Sequence, residues 1–202
     1  MGWQVEYTSK RHVRGTIGHS MAGRVLVLCG SPGSGKSVVA RVASERGMSI
    51  LSLGDIVRAE MTSRGLPETP ENVGLTALSM REEHGEEVVV ERLIPSLTSA
   101  LEKSDVLIDG MRQPEEMEHL RQHVEDVTVV AMSASTGLRM EWLEERGRGE
   151  DGGVTEFAER EEREWGWGLE MLIEQADAIV LNDGSLEELE SRSEMILEAL
   201  GF

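Results

Sequence analysis

The chain is poor in several things, and each shortage excludes something. A single cysteine, Cys29, stands in 202 residues, so no disulfide forms within the chain and the residue reads as a small buried hydrophobe. No apolar run approaches the roughly 20 residues that span a bilayer, and the N-terminus lacks a signal-peptide core; a soluble, cytoplasmic globule is expected. Positive charge is scarce. Twenty Lys and Arg against 38 Asp and Glu leave a formal charge of −18, a surface that repels a nucleic-acid backbone and disfavours general DNA or RNA binding. Lysine occurs only at 10, 36 and 103, and an acidic, Lys-poor composition also suits concentrated salt. His84, His119 and His123 have no ligand spacing to a Cys or to each other, so no zinc site is expected. His119 and His123, one helical turn apart among glutamates, read as solvent-facing. There is no Ser/His/Asp triad and no internal repeat.

What is present is organised around Gly30-Ser31-Pro32-Gly33-Ser34-Gly35-Lys36-Ser37, two glycines four residues apart followed by Lys and Ser. This is the phosphate-binding loop pattern. Before it, Val25–Cys29 is the apolar run of a strand buried on both faces; after it, Val38, Val39, Val42 and Ala43 stripe a helix. Glycines let the backbone fold into a nest of inward N–H groups, and the helix adds its own unpaired donors and positive dipole end. In such a nest Lys36 reaches the β- and γ-phosphates of ATP, and the Ser37 hydroxyl serves the Mg²⁺ that bridges them. Lys36 is expected to face solvent and to fill no core volume.

Residues 1–22 show no apolar period and carry Lys10, Arg11 and Arg14, which predicts a disordered tail ahead of a domain over 23–202; Met21, just before the first strand, is a candidate start. Further strands are predicted at Ser49–Leu53, Val106–Asp109, Val127–Ala131 and Ala178–Leu181. Helix starts are marked by Thr69-Pro70, by Pro114 and by the Ser185/Glu188 capping box, and the last helix has an expected buried stripe at Leu186, Leu189, Ile196, Leu197 and Leu200. Strands separated by helices predict an α/β fold, a three-layer sandwich of the P-loop NTPase class with a five-stranded parallel sheet covered on both faces. About fifty residues between the second and third strands are expected to carry two or three helices, an excursion long enough to arch over a second ligand. Residues 135–167, dense in Arg, Glu and Gly, predict an Arg-rich helical lid.

Ligands of such sheets sit at the carboxyl ends of the strands. Asp55 and Arg58 follow the second strand and are candidate acceptor ligands, although an acid at a helix start is stabilising without any ligand. Asp109 ends the third strand and is placed to serve Mg²⁺; Gly110 permits close backbone approach, and Arg112 can pair bidentately with a phosphate. Arg139, Arg146 and Arg148 in the lid are candidates to close over the developing charge of phosphoryl transfer. Arg160 and Arg163 fit that role too, but the glutamates around them equally fit a solvated helix laced with ion pairs. Trp165 and Trp167 read as core or hinge packing.

Taken together these residues resemble the P-loop family of nucleoside monophosphate kinases, nearest to adenylate kinases and to small archaeal adenylate-kinase-related proteins. The resemblance runs from Arg24 to about Leu200. SLGDIVRAEM is similar to the segment that holds the acceptor nucleotide, which implies roles for Gly54, Asp55 and Arg58; VLIDGMR is similar to the segment that serves acceptor phosphate and metal, which implies Asp109, Gly110 and Arg112. EWLEERGRGED is similar to the arginine lid. AIVLNDGSLEEL is similar to the last strand and helix, whose loop passes near adenine and implicates Asn182 and Gly184. Met111 stands where adenylate kinases usually have Pro, and residues 64–97 depart from their acceptor-binding helices. The expected activity is transfer of the γ-phosphoryl group of Mg-ATP to a small nucleotide, AMP foremost, with dephospho-coenzyme A the alternative acceptor. A nucleotide sensor and a slow ATPase acting on an assembly are the competing readings.

Overall fold

The computed structural model describes residues 23–146 and 154–202, with side chains over 23–142 and 157–202. The tail over 1–22 and the glycine-rich centre of the expected lid, with Arg148, lie outside the described residues; Arg146 is described in its backbone alone.

Five strands form one all-parallel sheet: β1 (Val25–Gly30), β2 (Ser49–Ser52), β3 (Val106–Asp109), β4 (Val127–Ser133) and β5 (Ala178–Leu181), in the spatial order β2-β3-β1-β4-β5. Period-two alternation sorts the core into two halves. Val25, Val27 and Cys29 face one side with Val106, Ile108 and Ala131; Leu26 and Leu28 face the other with Leu107, Val130 and Val180. The first side is covered by α2 (Leu53–Ser63), α3 (Pro70–His84), α4 (Val88–Leu101), α5 (Pro114–His123) and α8 (Leu169–Glu174), the second by α1 (Lys36–Glu45) and α9 (Leu186–Leu200). This is the expected three-layer sandwich. The lid region supplies α6 (Thr136–Arg146) and α7 (Val154–Gly166). Among the described residues no helix is long and apolar enough to cross a membrane. Cys29 is buried, and that burial pushes its thiol up to about 12.

The predicted caps form as read. Thr69 Oγ1 accepts from the Asn72 amide with Pro70 behind it, Pro114 opens α5, and Ser185 and Glu188 cap α9 reciprocally. Some expectations are corrected. β1 continues through Gly30 and β4 through Ser133, because Gly30 is in register with Met132 across the sheet; its φ of 133° and an approach of 2.4 Å from a Cβ position to Met132 O leave room for glycine alone. Leu53 is the first residue of α2 and fills the core, not the last of β2. Leu186 is 61% exposed, one turn short of Leu189, which is the first α9 side chain to pack beneath the glycine loop. His119 is half-buried with an Nε2 atom that is sealed and has no hydrogen-bond partner, whereas His123 is exposed. Trp165 is exposed; only Trp167 packs inward.

Candidate functional site

The loop after β1 has the geometry that a phosphate nest needs. Gly33 and Gly35 have φ of 74° and 96°, which side-chain-bearing residues adopt at a cost. Gly35 is also walled in: a Cβ there would lie 2.7 Å from Asn182 Nδ2 and 2.8 Å from Leu189 Cδ2. Asn182 Nδ2 donates to the Ser34 carbonyl at 3.2 Å and Asn182 N to the Ser133 carbonyl at 2.8 Å. The Asn182 side chain therefore braces the loop from below. Gly184 lies against the Glu188 carboxylate of the capping box.

Lys36 departs from expectation. Its ammonium turns back on its own loop, donating to the carbonyls of Gly30 (2.6 Å) and Ser31 (2.9 Å), and the side chain is half-buried. Burial lowers its pKa; Glu164 and Asp109 nearby oppose this, while Arg112 and Arg160 add to it. Those four residues are thus the charged surroundings of the loop lysine.

Asp109 ends β3 with Oδ1 sealed from solvent and without a hydrogen-bond partner. An orphaned carboxylate oxygen beside the loop, with Ser37 exposed on the first turn of α1, fits a hard cation taking oxygen ligands. The described residues hold no cluster of three or more His, Cys, Asp or Glu. A cation held by Ser37 and Asp109 would need further oxygen ligands from phosphates and water, as Mg²⁺ commonly takes. Past Asp109, Gly110 at φ 92° turns the chain and donates its amide to Leu28 O, while Met111 fills the core where a Pro was the family expectation.

Arg112 sits at the centre of a charged knot. Its Nε meets Glu164 Oε1 at 2.9 Å, its Nη1 donates to Gly110 O at 3.3 Å, and its backbone amide donates to Glu116 at 3.2 Å. Burial alone would lower its pKa; the carboxylates of Glu164, Glu116 and Asp109 outweigh burial and raise it. Glu164 is 3% exposed and also accepts from Arg160 Nε at 3.0 Å. Burial pushes its pKa up, but Arg112, Arg160 and Lys36 hold it below the usual carboxylate value. Behind this knot, Glu116 forms a buried pair with Arg81 at 2.7 Å, and Arg81 stacks 4.5 Å from the Trp167 ring. α3, α5 and α7 are thereby tied to the Arg112 loop.

A cavity of ≈ 520 Å³ opens beside the knot, between α2, α3 and α7. Gly54, Arg58, Asp109 and Arg112, all expected acceptor residues, line it together. Asp55 does not; it pairs with Arg58 instead. Arg139 is brought to the loop as a brace. It is 3% exposed and donates to Pro32 O (3.0 Å), Ala134 O (3.1 Å) and Thr136 Oγ1 (2.9 Å), pairs with Glu161 and packs over the Phe157 ring.

Comparison with known proteins fits this geometry. A family model described as an AAA domain matches residues 29–157, from the end of β1 into α7. A UPF0200 protein of Pyrococcus abyssi is 34% identical over 180 residues, 87% of this chain and 96% of the relative. The chain belongs to the UPF0200 family. Solved structures similar to this UPF0200 chain share its fold: TT1252 of Thermus thermophilus (TM-score 0.63, 23% identity, 89% of this chain and 99% of that one) and a shikimate kinase of Acinetobacter baumannii in complex with shikimate (TM-score 0.55, 17% identity, 89% and 94%). The shared architecture is the three-layer α/β sandwich of the P-loop NTPase class.

Glu164 of α7 stands outside the expected site of this UPF0200 chain, and Arg160 and Arg163, which fit either lid closure or a solvated helix, line the cavity beside it. The available signal was spacing. Residues 160, 163, 164 and 167 fall on one helical face, a stripe of two Arg, one Glu and one Trp that solvated ion pairs do not require.

Proposed function

We propose that this chain transfers the γ-phosphoryl group of Mg-ATP to a small nucleotide, with AMP as the foremost acceptor. The observation that carries this reading is that the loop lysine and the arginine-lined cavity share one wall. Glu164, Asp109, Arg112 and Arg160 are at once the charged neighbours of Lys36 and the lining of the cavity. A donor site and an acceptor site that adjoin across such a wall are what direct transfer needs.

In this mechanism the loop amides and Lys36 hold the β- and γ-phosphates of ATP. Lys36 leaves the Gly30 and Ser31 carbonyls to do so, and it remains charged because the incoming phosphate oxygens replace them. Ser37 and Asp109 would hold Mg²⁺, which would neutralise phosphate charge when bound. Arg58 and Arg112 hold the acceptor phosphate, whose oxygen forms the new bond to the γ-phosphorus as the bond to the ADP oxygen breaks. That oxygen is already an anion, so no strong base is required. Phosphate entering the knot takes over contacts that Glu164 makes with Arg112 and Arg160. Arg146 and Arg148 are assigned to cover the transferring group, and Arg139 braces the loop. Asn182 and Gly184 belong to the adenine side.

A nucleotide sensor is the second reading, favoured by one observation: Lys36 and Arg112 are both engaged by the chain's own groups. A coupled assay over nucleoside monophosphates, dephospho-coenzyme A and shikimate, with Lys36→Ala as control, tests the proposal. Lys36-dependent ADP formation with AMP supports it; ATP binding without product from any acceptor favours the sensor.

A further inference from the structure

We infer that Arg163, laid across Gly74, is the standing anion receptor of the cavity and sets its specificity for acceptors that carry a phosphate. The inference rests on the cavity being the acceptor site and names the residue that selects the acceptor's chemical class.

Gly74 lies inside the fifteen-residue helix α3, where glycine costs about 1 kcal/mol relative to alanine. Its backbone does not require glycine, since its φ is not among the positive values. Its neighbour does. A Cβ at position 74 would stand 1.9 Å from Arg163 Nη1, 2.7 Å from Cζ and 3.3 Å from Nη2. The guanidinium of Arg163 therefore occupies the space a side chain would take, at the cavity wall.

The charge pattern singles out the same residue. Of the four arginines that line the cavity, Arg58 pairs with Asp55, and Arg112 and Arg160 share Glu164. Arg163 has no ion pair or side-chain hydrogen bond among the described residues. Glu159, one turn earlier on α7, has the i,i+4 spacing that forms such pairs, yet it makes none with Arg163. In a chain where acids outnumber bases almost two to one, a half-buried cation left unpaired faces an anion that arrives from outside. Val57, Val73, Ala77 and Leu78 line the same cavity and offer apolar surface for the rest of the ligand. A phosphate reaches Arg163 without breaking any internal pair, then draws on Arg112 and Arg160.

Calorimetric titration of the wild type, Gly74→Ala, Arg163→Gln and the double variant with AMP, adenosine and Mg-ATP tests this. The expected result is AMP binding by the wild type, with adenosine at least tenfold weaker. Each single substitution weakens AMP at least tenfold, and the double variant is no weaker than Arg163→Gln, because Gly74 acts only through Arg163. Mg-ATP affinity stays within threefold. Alanine is a better helix former than glycine, so Gly74→Ala is expected to fold, and Arg163→Gln tests the same contact independently. AMP binding that survives both substitutions, or losses that add in the double variant, overturns the inference and leaves the proposed transfer standing. A wild type that binds Mg-ATP but no monophosphate overturns the acceptor reading itself.

Discussion

Glu164 and Arg112 meet at 2.9 Å, a carboxylate of the lid-side helix set on the guanidinium that follows β3. Arg160 closes on the same oxygen from the other side. Glu164→Gln keeps the shape and removes the charge, so the ligand-free protein is expected to lose about 2 kcal/mol, less than a fully enclosed pair because Arg160 is partly exposed. The same variant frees two guanidinium groups for phosphate. Its melting temperature is expected to start below that of the wild type and to rise further on adding AMP; a smaller rise than the wild type's counts against the competition.

The same pair sets an acid limit. The folded-state pKa of Glu164 lies below its ordinary value, so its contribution is present above the ordinary carboxylate range and is lost as pH falls through the depressed folded value. Wild type and Glu164→Gln are therefore expected to differ most in stability near neutrality and to converge in acid. Denaturant midpoints at a series of pH values check this, and a gap that widens in acid contradicts it.

Asp109→Asn separates metal service from folding. Neutralising Asp109 relieves an unpartnered buried oxygen but removes a negative charge beside Lys36 and Arg112, so thermal stability without ligand is expected to change by less than about 1 kcal/mol. Mg²⁺-dependent tightening of ATP binding is expected to fall at least tenfold. Titration of ATP with and without Mg²⁺ gives both arms.

Gly35→Ala tests the brace. It combines a φ of 96° with contacts of 2.7 and 2.8 Å to Asn182 and Leu189, so a loss of about 2 kcal/mol is expected together with loss of ATP binding. Unchanged melting would show that the loop is not held from below.

Much of this architecture is legible in the sequence for local reasons. Apolar runs of four to six residues, a glycine loop and Thr69, Pro114 and Ser185 as helix starts all act through residues adjacent in the chain. What stays hidden depends on distant partners. The charges around Lys36 come from Asp109 at the end of β3, from Arg112 beyond it and from Arg160 and Glu164 of α7, all far along the chain. Asn182 reads as an adenine-loop residue until Gly35 is found 147 residues earlier against it. Arg160, Arg163 and Glu164 look like one more charged helix face, because composition cannot tell an ion-paired surface from a stripe turned onto Gly74 and Arg112.

The central claim is transfer, and Lys36 is its sharpest handle. Lys36→Ala removes two hydrogen bonds to loop carbonyls that water can reach, so a loss of about 1–2 kcal/mol is expected with the fold retained. The deciding measurement is direct detection of product from ATP labelled at the γ-phosphate, with AMP present, for wild type and Lys36→Ala. Label passing to AMP as ADP in the wild type, and at least a thousandfold slower in Lys36→Ala, is the predicted result. Label that stays on ATP or appears only as free phosphate, while calorimetry shows both nucleotides bound, would contradict it.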